Sequence, residues 1–139
     1  MPARNLYHDS VVHALEADGW TITDDPLQVS FGGRDLYVDL GAERNTLAAE
    51  KGGQKIAVEV QSFLGHSEVR DLEEAVGQFV IYRTLLAQTE PDRKLFLAVP
   101  SRVHEGILLE RFGQAVIAGV QLRVMVFDEE QAKVIAWIE

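Results

Sequence analysis

Two stretches of strict alternation between hydrophobic and polar positions predict the centre of the molecule. Leu36, Val38 and Leu40 are interleaved with Asp35, Tyr37 and Asp39, the two-residue period of a half-buried strand. Over residues 55–63 a second strand puts Ile56, Val58 and Val60 on one face and Lys55, Ala57, Glu59 and Gln61 on the other. Residues 46–50 are predicted to be its hairpin partner, joined to it by a tight turn at Gly52-Gly53. Upstream, Trp20 to Thr23 is rich in β-formers and stops at Asp24-Asp25-Pro26; residues 28–31 resume the extended chain before Gly32-Gly33 breaks it. Downstream, residues 94–99 form a continuous apolar run closed by Pro100, the pattern of a central strand buried on both faces. Leu122, Val124 and Val126 alternate as a further strand, and after a turn over residues 128–131 a last, antiparallel strand is expected over 134–138.

The helical period appears between these strands. Residues 5–18 carry Leu6, Val11, Ala14 and Leu15 near helical spacing, with Asn5 as a candidate cap and Gly19 where a helix stops. Ser67 is placed to cap a long helix running to about residue 89, buried along Val69, Leu72, Val76, Phe79 and Val80. Glu68, Asp71, Glu73 and Glu74 crowd its positive end, as the helix dipole favours. Residues 101–110 and 114–118 are predicted as shorter helices. An antiparallel meander, then a crossover helix into a buried strand, implies an α/β protein whose mixed sheet is flanked by helices on both faces. With 139 residues and no repeat or linker, the expectation is one domain over residues 1–139.

Composition changes the picture in two places. The chain has no cysteine, which excludes thiolate metal sites and disulfides, and a net charge of −9, which opposes non-specific affinity for a phosphate backbone. Lys51 and Lys55 flank a turn, and Arg102 and Arg111 stand apart, so no basic stripe compensates; DNA would have to be engaged through a partner or a metal. The N-terminus lacks a signal-peptide pattern and no stretch is long enough to span a bilayer, so a cytoplasmic protein without membrane contact is expected.

Candidate chemistry concentrates on the strand over residues 55–63. Glu59 and Gln61 point to one side, about 6 to 7 Å apart along the backbone. Asp39 comes from an earlier strand, and two carboxylates with a backbone carbonyl form a reasonable oxygen cage for Mg²⁺. On the long helix, Gln78 and Tyr82 are four residues apart and share a face. The plainer account is that these acids are the solvated face of a strand and that Gln78 and Tyr82 are an ordinary polar helix face. His8, His13, His66 and His104 are dispersed without metal-ligand spacing, and no P-loop, dinucleotide fingerprint or nucleophile elbow occurs.

The central blocks, residues 36–43 and 48–63, together with Tyr7-His8-Asp9, residues 18–23, Gly77-Gln78-Phe79 with Tyr82, and residues 97–100, resemble the XisH family. The resemblance covers nearly the whole chain. It implies a factor controlling excision of the fdxN DNA element, acting beside a recombinase and a XisI-like companion, on a restriction-endonuclease-like core of the PD-(D/E)XK type. By that resemblance Glu59 is the second metal-binding acid and Asp39 the first, with Glu43 the runner-up. The family pattern Glu-(Val/Ile)-Lys-Ser-Phe reads Glu59-Val60-Gln61-Ser62-Phe63 here. Gln61 has no charge with which to steady a hydroxide, and Lys55 lies about 13 Å from Glu59 along an extended strand. Two functions follow. One is a non-catalytic excision-controlling factor that binds its XisI-like partner. The other is a metal-dependent DNA endonuclease in which Asp39 and Glu59 hold Mg²⁺ and Gln61 orients water. Mg²⁺ is expected only for the catalytic form, and a homodimer is compatible with either.

Overall fold

The computed structural model describes residues 6–45 and 53–139. Six strands form one open sheet in the order β1 (Thr21–Asp24), β4 (Leu40–Arg44), β5 (Gln54–Val60), β6 (Arg93–Pro100), β7 (Val124–Asp128) and β8 (Lys133–Ile138). The β1/β4, β4/β5 and β7/β8 pairs are antiparallel, and β5/β6 and β6/β7 are parallel, so the sheet is mixed. A separate hairpin joins β2 (Leu27–Phe31) to β3 (Arg34–Val38) through Gly32 and Gly33, whose φ of 61° and 82° suits the two-residue turn that matches strand twist.

Helices cover both faces. On one, α1 (His8–Ala17) packs against β8 and β1 over Val11, Ala14, Leu15, Leu40, Ile56, Val58, Phe96 and Phe127. On the other lie α2 (Glu68–Thr89), α3 (Ser101–Glu105), α4 (Arg111–Val120) and the β2/β3 hairpin, over Ala57, Phe79, Leu95, Leu97, Val99, Val124 and Val126. The apolar run predicted for a central strand is β6, buried from Leu95 to Pro100 between two parallel neighbours.

Local signals explain most helix ends. Ser67 Oγ accepts from Arg70 N–H at the start of α2. Gly19, at φ 94°, ends α1: its N–H donates to Glu16 O and that of Trp20 to Leu15 O, which satisfies two terminal carbonyls. At the end of α4, Arg83 of α2 donates to the carbonyls of Val120 and Gln121, tying the two helices together.

Several expectations are corrected. Leu6 is 70% exposed and precedes α1, whose buried residues begin with His8. Val69 and Val80 are also exposed; α2 buries Leu72, Ala75, Phe79 and Leu86, so its apolar stripe runs along a slightly rotated face. The helix after β6 is shorter than expected and α4 longer. The alternating stretch over residues 35–40 is two strands rather than one: β3 ends at Val38 against β2, and β4 begins at Leu40 against β5. Val38 packs on the α2 face and Leu40 on the α1 face, so the chain changes sides at Asp39. The antiparallel neighbour of β5 is therefore Leu40–Arg44. The proposed strand over residues 46–50 and the Asn5 cap lie outside the described residues.

Candidate functional site

Asp39 occupies the break between β3 and β4, and Glu59 the penultimate position of β5. The two acids are locked together reciprocally. Asp39 N–H donates to Glu59 Oε1 at 3.0 Å, and Val60 N–H donates to Asp39 Oδ2 at 2.8 Å. Where the chain leaves the ladder, side-chain carboxylates thus take the backbone hydrogen bonds that a neighbouring strand would otherwise provide. Each carboxylate commits one oxygen to the other's strand, and the two carboxyls also hydrogen-bond each other side chain to side chain, which favours a proton on Glu59.

Glu59 is only 7% exposed and shares the α2 face of β5 with Ala57. Burial, and then the Asp39 carboxylate beside it, push its carboxyl up to about 8 from an ordinary 4.5; a hydrogen bond from Asp39 N–H opposes this. The phenol of Tyr82 is pushed up to about 12, first by burial and then by Glu59 and Asp39. Its response to both acids puts it within their field, one helical turn along α2 from Gln78.

Gln61 follows the last residue of β5 and extends the ladder by one bond, its N–H donating to Ala98 O at 2.9 Å. Its side-chain amide donates to Gln78 Oε1 on α2. Of the residues singled out in the sequence, Asp39, Glu59, Gln61, Gln78 and Tyr82 gather at one end of β5. Glu43 does not join them. It pairs in register with Lys55 at the other end of the strand, and its carboxylate stands 3.9 Å from Lys55 Nζ, both half-exposed.

Arg102, which no pattern in the sequence marks, also supports this end of β5. From the first turn of α3 it donates to the carbonyls of Ser62 and Phe63, holding the segment that follows Gln61, where Phe63 has a φ of 54°. Topology places it: Arg102 lies two residues past the Pro100 that closes β6, and a parallel β5/β6 pair brings the two carboxyl ends together. Among the described residues no cluster of three or more His, Asp or Glu side chains is arranged as a complete metal site. Asp39 and Glu59 fit as a partial one: they bring two carboxyls together, and the repulsion between their charged forms is of the kind a divalent cation relieves.

No helix among the described residues is long and apolar enough to cross a membrane. No functionally curated protein matches the chain. Two crystal structures do, over their entire length. An XisH family protein from Nostoc punctiforme PCC 73102 is 40% identical over 97% of this chain, with a TM-score of 0.89. A fdxN element excision controlling factor protein from Anabaena variabilis is 42% identical over 98% of it, with a TM-score of 0.88. The family model of the XisH protein matches residues 1–135, and the chain belongs to the XisH family.

Proposed function

We propose that this chain serves in controlled excision of a DNA element as a non-cutting factor, a nuclease-type scaffold of the PD-(D/E)XK kind working with a XisI-like companion. The observation that carries the reading is Gln61. A nuclease of that kind sets a cation two residues past its second acid. Here the position is a neutral amide held by Gln78, and the charge acting on Glu59 is that of another carboxylate. Without a cation, a hydroxide or a crowded phosphate has nothing at that position to steady it.

The net charge of −9 supports a protein partner as the first contact, with DNA reached through the partner or a metal. The name of the Anabaena variabilis relative supports excision control as the process. The test is association with a purified XisI-like companion in the presence of a chelator. The complex is expected to form and to survive Glu59→Ala. A strict metal requirement, or loss of association in that variant, would overturn the reading.

A second reading is favoured by one observation, the direct adjacency of two carboxyls from different strands. In it the chain is a metal-dependent endonuclease with a variant Glu-x-Gln site. Asp39 and Glu59 would hold Mg²⁺, which when bound polarises a phosphate and acidifies a water. Gln61 would orient that water, and Gln78 would hold the Gln61 amide in place. A cleavage assay with Mg²⁺ and Mn²⁺ on the natural chain and on Gln61→Lys separates the two readings. Cleavage by the natural chain establishes the endonuclease. Cleavage by the lysine variant alone supports the non-cutting factor, an acid pair whose cation has been lost.

A further inference from the structure

For a chain of net charge −9, one cavity holds an unusual concentration of cations around aromatic rings. It opens at the end of the sheet opposite the acid pair, where Arg44 closes β4, Lys55 stands near the start of β5 and Lys94 near the start of β6. Its walls are Trp20, Phe96 and Trp137. The Phe96 and Trp137 rings meet edge to face with centroids 4.9 Å apart, and Trp20 lies 5.9 Å from Trp137 at a tilt of 49°. The Arg44 guanidinium is stacked 4.4 Å above the centre of the Trp20 ring. The volume, about 290 Å³, is that of a site for one small ligand.

We infer that this cavity binds a nucleotide, with the base against the Trp137 indole and the phosphate at Lys94, which shares the sheet face of Ile56 and Phe96. Trp20 is buried under the Arg44 guanidinium, so the half-buried Trp137 is the indole left for a flat heteroaromatic ring, and a phosphate uses the adjacent cation. Among the described lining residues, three cations (Arg44, Lys55, Lys94) stand against two acids (Asp92, Glu139).

One of those acids already marks an anion position. Glu139 Oε1 lies 3.0 Å from Lys94 Nζ and 3.8 Å from Arg123 Nε. These pairs are exposed and contribute little, so exchanging the carboxylate for a phosphate costs little. Arg44 is fixed, donating to Gln54 Oε1 and to Asp18 O and lying 3.6 Å from the Asp18 carboxylate, so it acts as the cap of the Trp20 ring and leaves Lys94 as the cation for a phosphate. None of this involves Asp39 or Glu59, so the inference stands apart from the proposed excision role.

Both tryptophans of the chain line the cavity, so their two indole N–H resonances report on it directly. The probes are dAMP and dTMP, deoxyadenosine, inorganic phosphate, and short single strands with and without a 5′-phosphate. The nucleotides, or the phosphorylated strand, are expected to move both resonances saturably, and deoxyadenosine and inorganic phosphate to bind at least tenfold more weakly. The variant Lys94→Ala, at a surface position, should weaken nucleotide binding at least tenfold while its other resonances stay in place. Response to free nucleotides alone identifies a mononucleotide as the ligand; response to the phosphorylated strand identifies a DNA end. No saturable shift with any nucleotide or strand, equal binding of deoxyadenosine and dAMP, or undiminished affinity in that variant would overturn the inference.

Discussion

At its carboxyl end β5 buries Glu59 beside Asp39, and at its amino end Lys55 stands half-exposed opposite Glu43 at the mouth of an aromatic cavity. The strand, the sheet and the alternation are the same; the surroundings differ. At the Glu59 end, α2 and the β2/β3 hairpin close over the sheet, so a charge there is poorly hydrated and feels its neighbour strongly. At the Lys55 end water screens the pair, and the same unit charges do little. Four residues separate a carboxyl held near neutrality from an ordinary ion pair, which shows that shielding by packed elements, more than the charges themselves, gives the acid pair its character.

Removing the cover should have the largest effect. Phe79 is fully buried in α2 between Gln78 and the turn that carries Tyr82. Phe79→Ala is expected to lower the unfolding free energy by about 3–5 kcal/mol in a denaturant titration. In whatever folded population remains, the Glu59 midpoint should fall toward 4.5 as water enters.

The next effect is the pH dependence of stability in the metal-free protein. Because Glu59 is held above its ordinary 4.5, the folded chain binds that proton more tightly than the unfolded chain does. Its stabilising contribution is complete below about 4.5 and is lost as the pH rises to about 8. Unfolding free energies from denaturant titrations across this window should decline, by an amount on the order of a few kcal/mol at most. Glu59→Gln, whose amide can still donate to Asp39, should flatten the decline. An equal decline in that variant would place the effect elsewhere.

A subtler change sharpens the contrast by charge alone. Gln61→Lys puts a cation at the end of β5 and should move the Glu59 midpoint downward by about 1 to 3 pH units, read from its carboxyl resonance. The smallest effect belongs to the exposed end. Lys55→Ala, which removes the partner of Glu43, should change stability by less than about 1 kcal/mol and leave the Glu59 midpoint untouched.

The same contrast explains what was legible in the sequence. Alternation in β5, the Ser67 cap and the apolar run of β6 each report a local rule, and each is found where those rules place it. The change of sides at Asp39 was not legible, because Leu36, Val38 and Leu40 keep a perfect two-residue period through it. Periodicity records that alternate residues are buried; it does not record against which layer. β4 was hidden for a related reason: Gly41, Ala42, Glu43 and Arg44 have the composition of a loop and are strand only because β1 and β5 flank them. The residue types of the acid pair could be picked out from the sequence. Their reciprocal backbone bonds could not, since they arise where one strand ends and another has yet to begin.

Those bonds also make the two amides a clock. Asp39 N–H and Val60 N–H are protected from exchange with solvent by carboxylates rather than by a continuous ladder, so their exchange rates depend on what the carboxylates are doing. A cation that draws Asp39 and Glu59 toward itself should hasten exchange at these two positions while β6, at the centre of the sheet, keeps its pace. The timing of two backbone protons would then report occupancy of the acid pair without any reaction being observed.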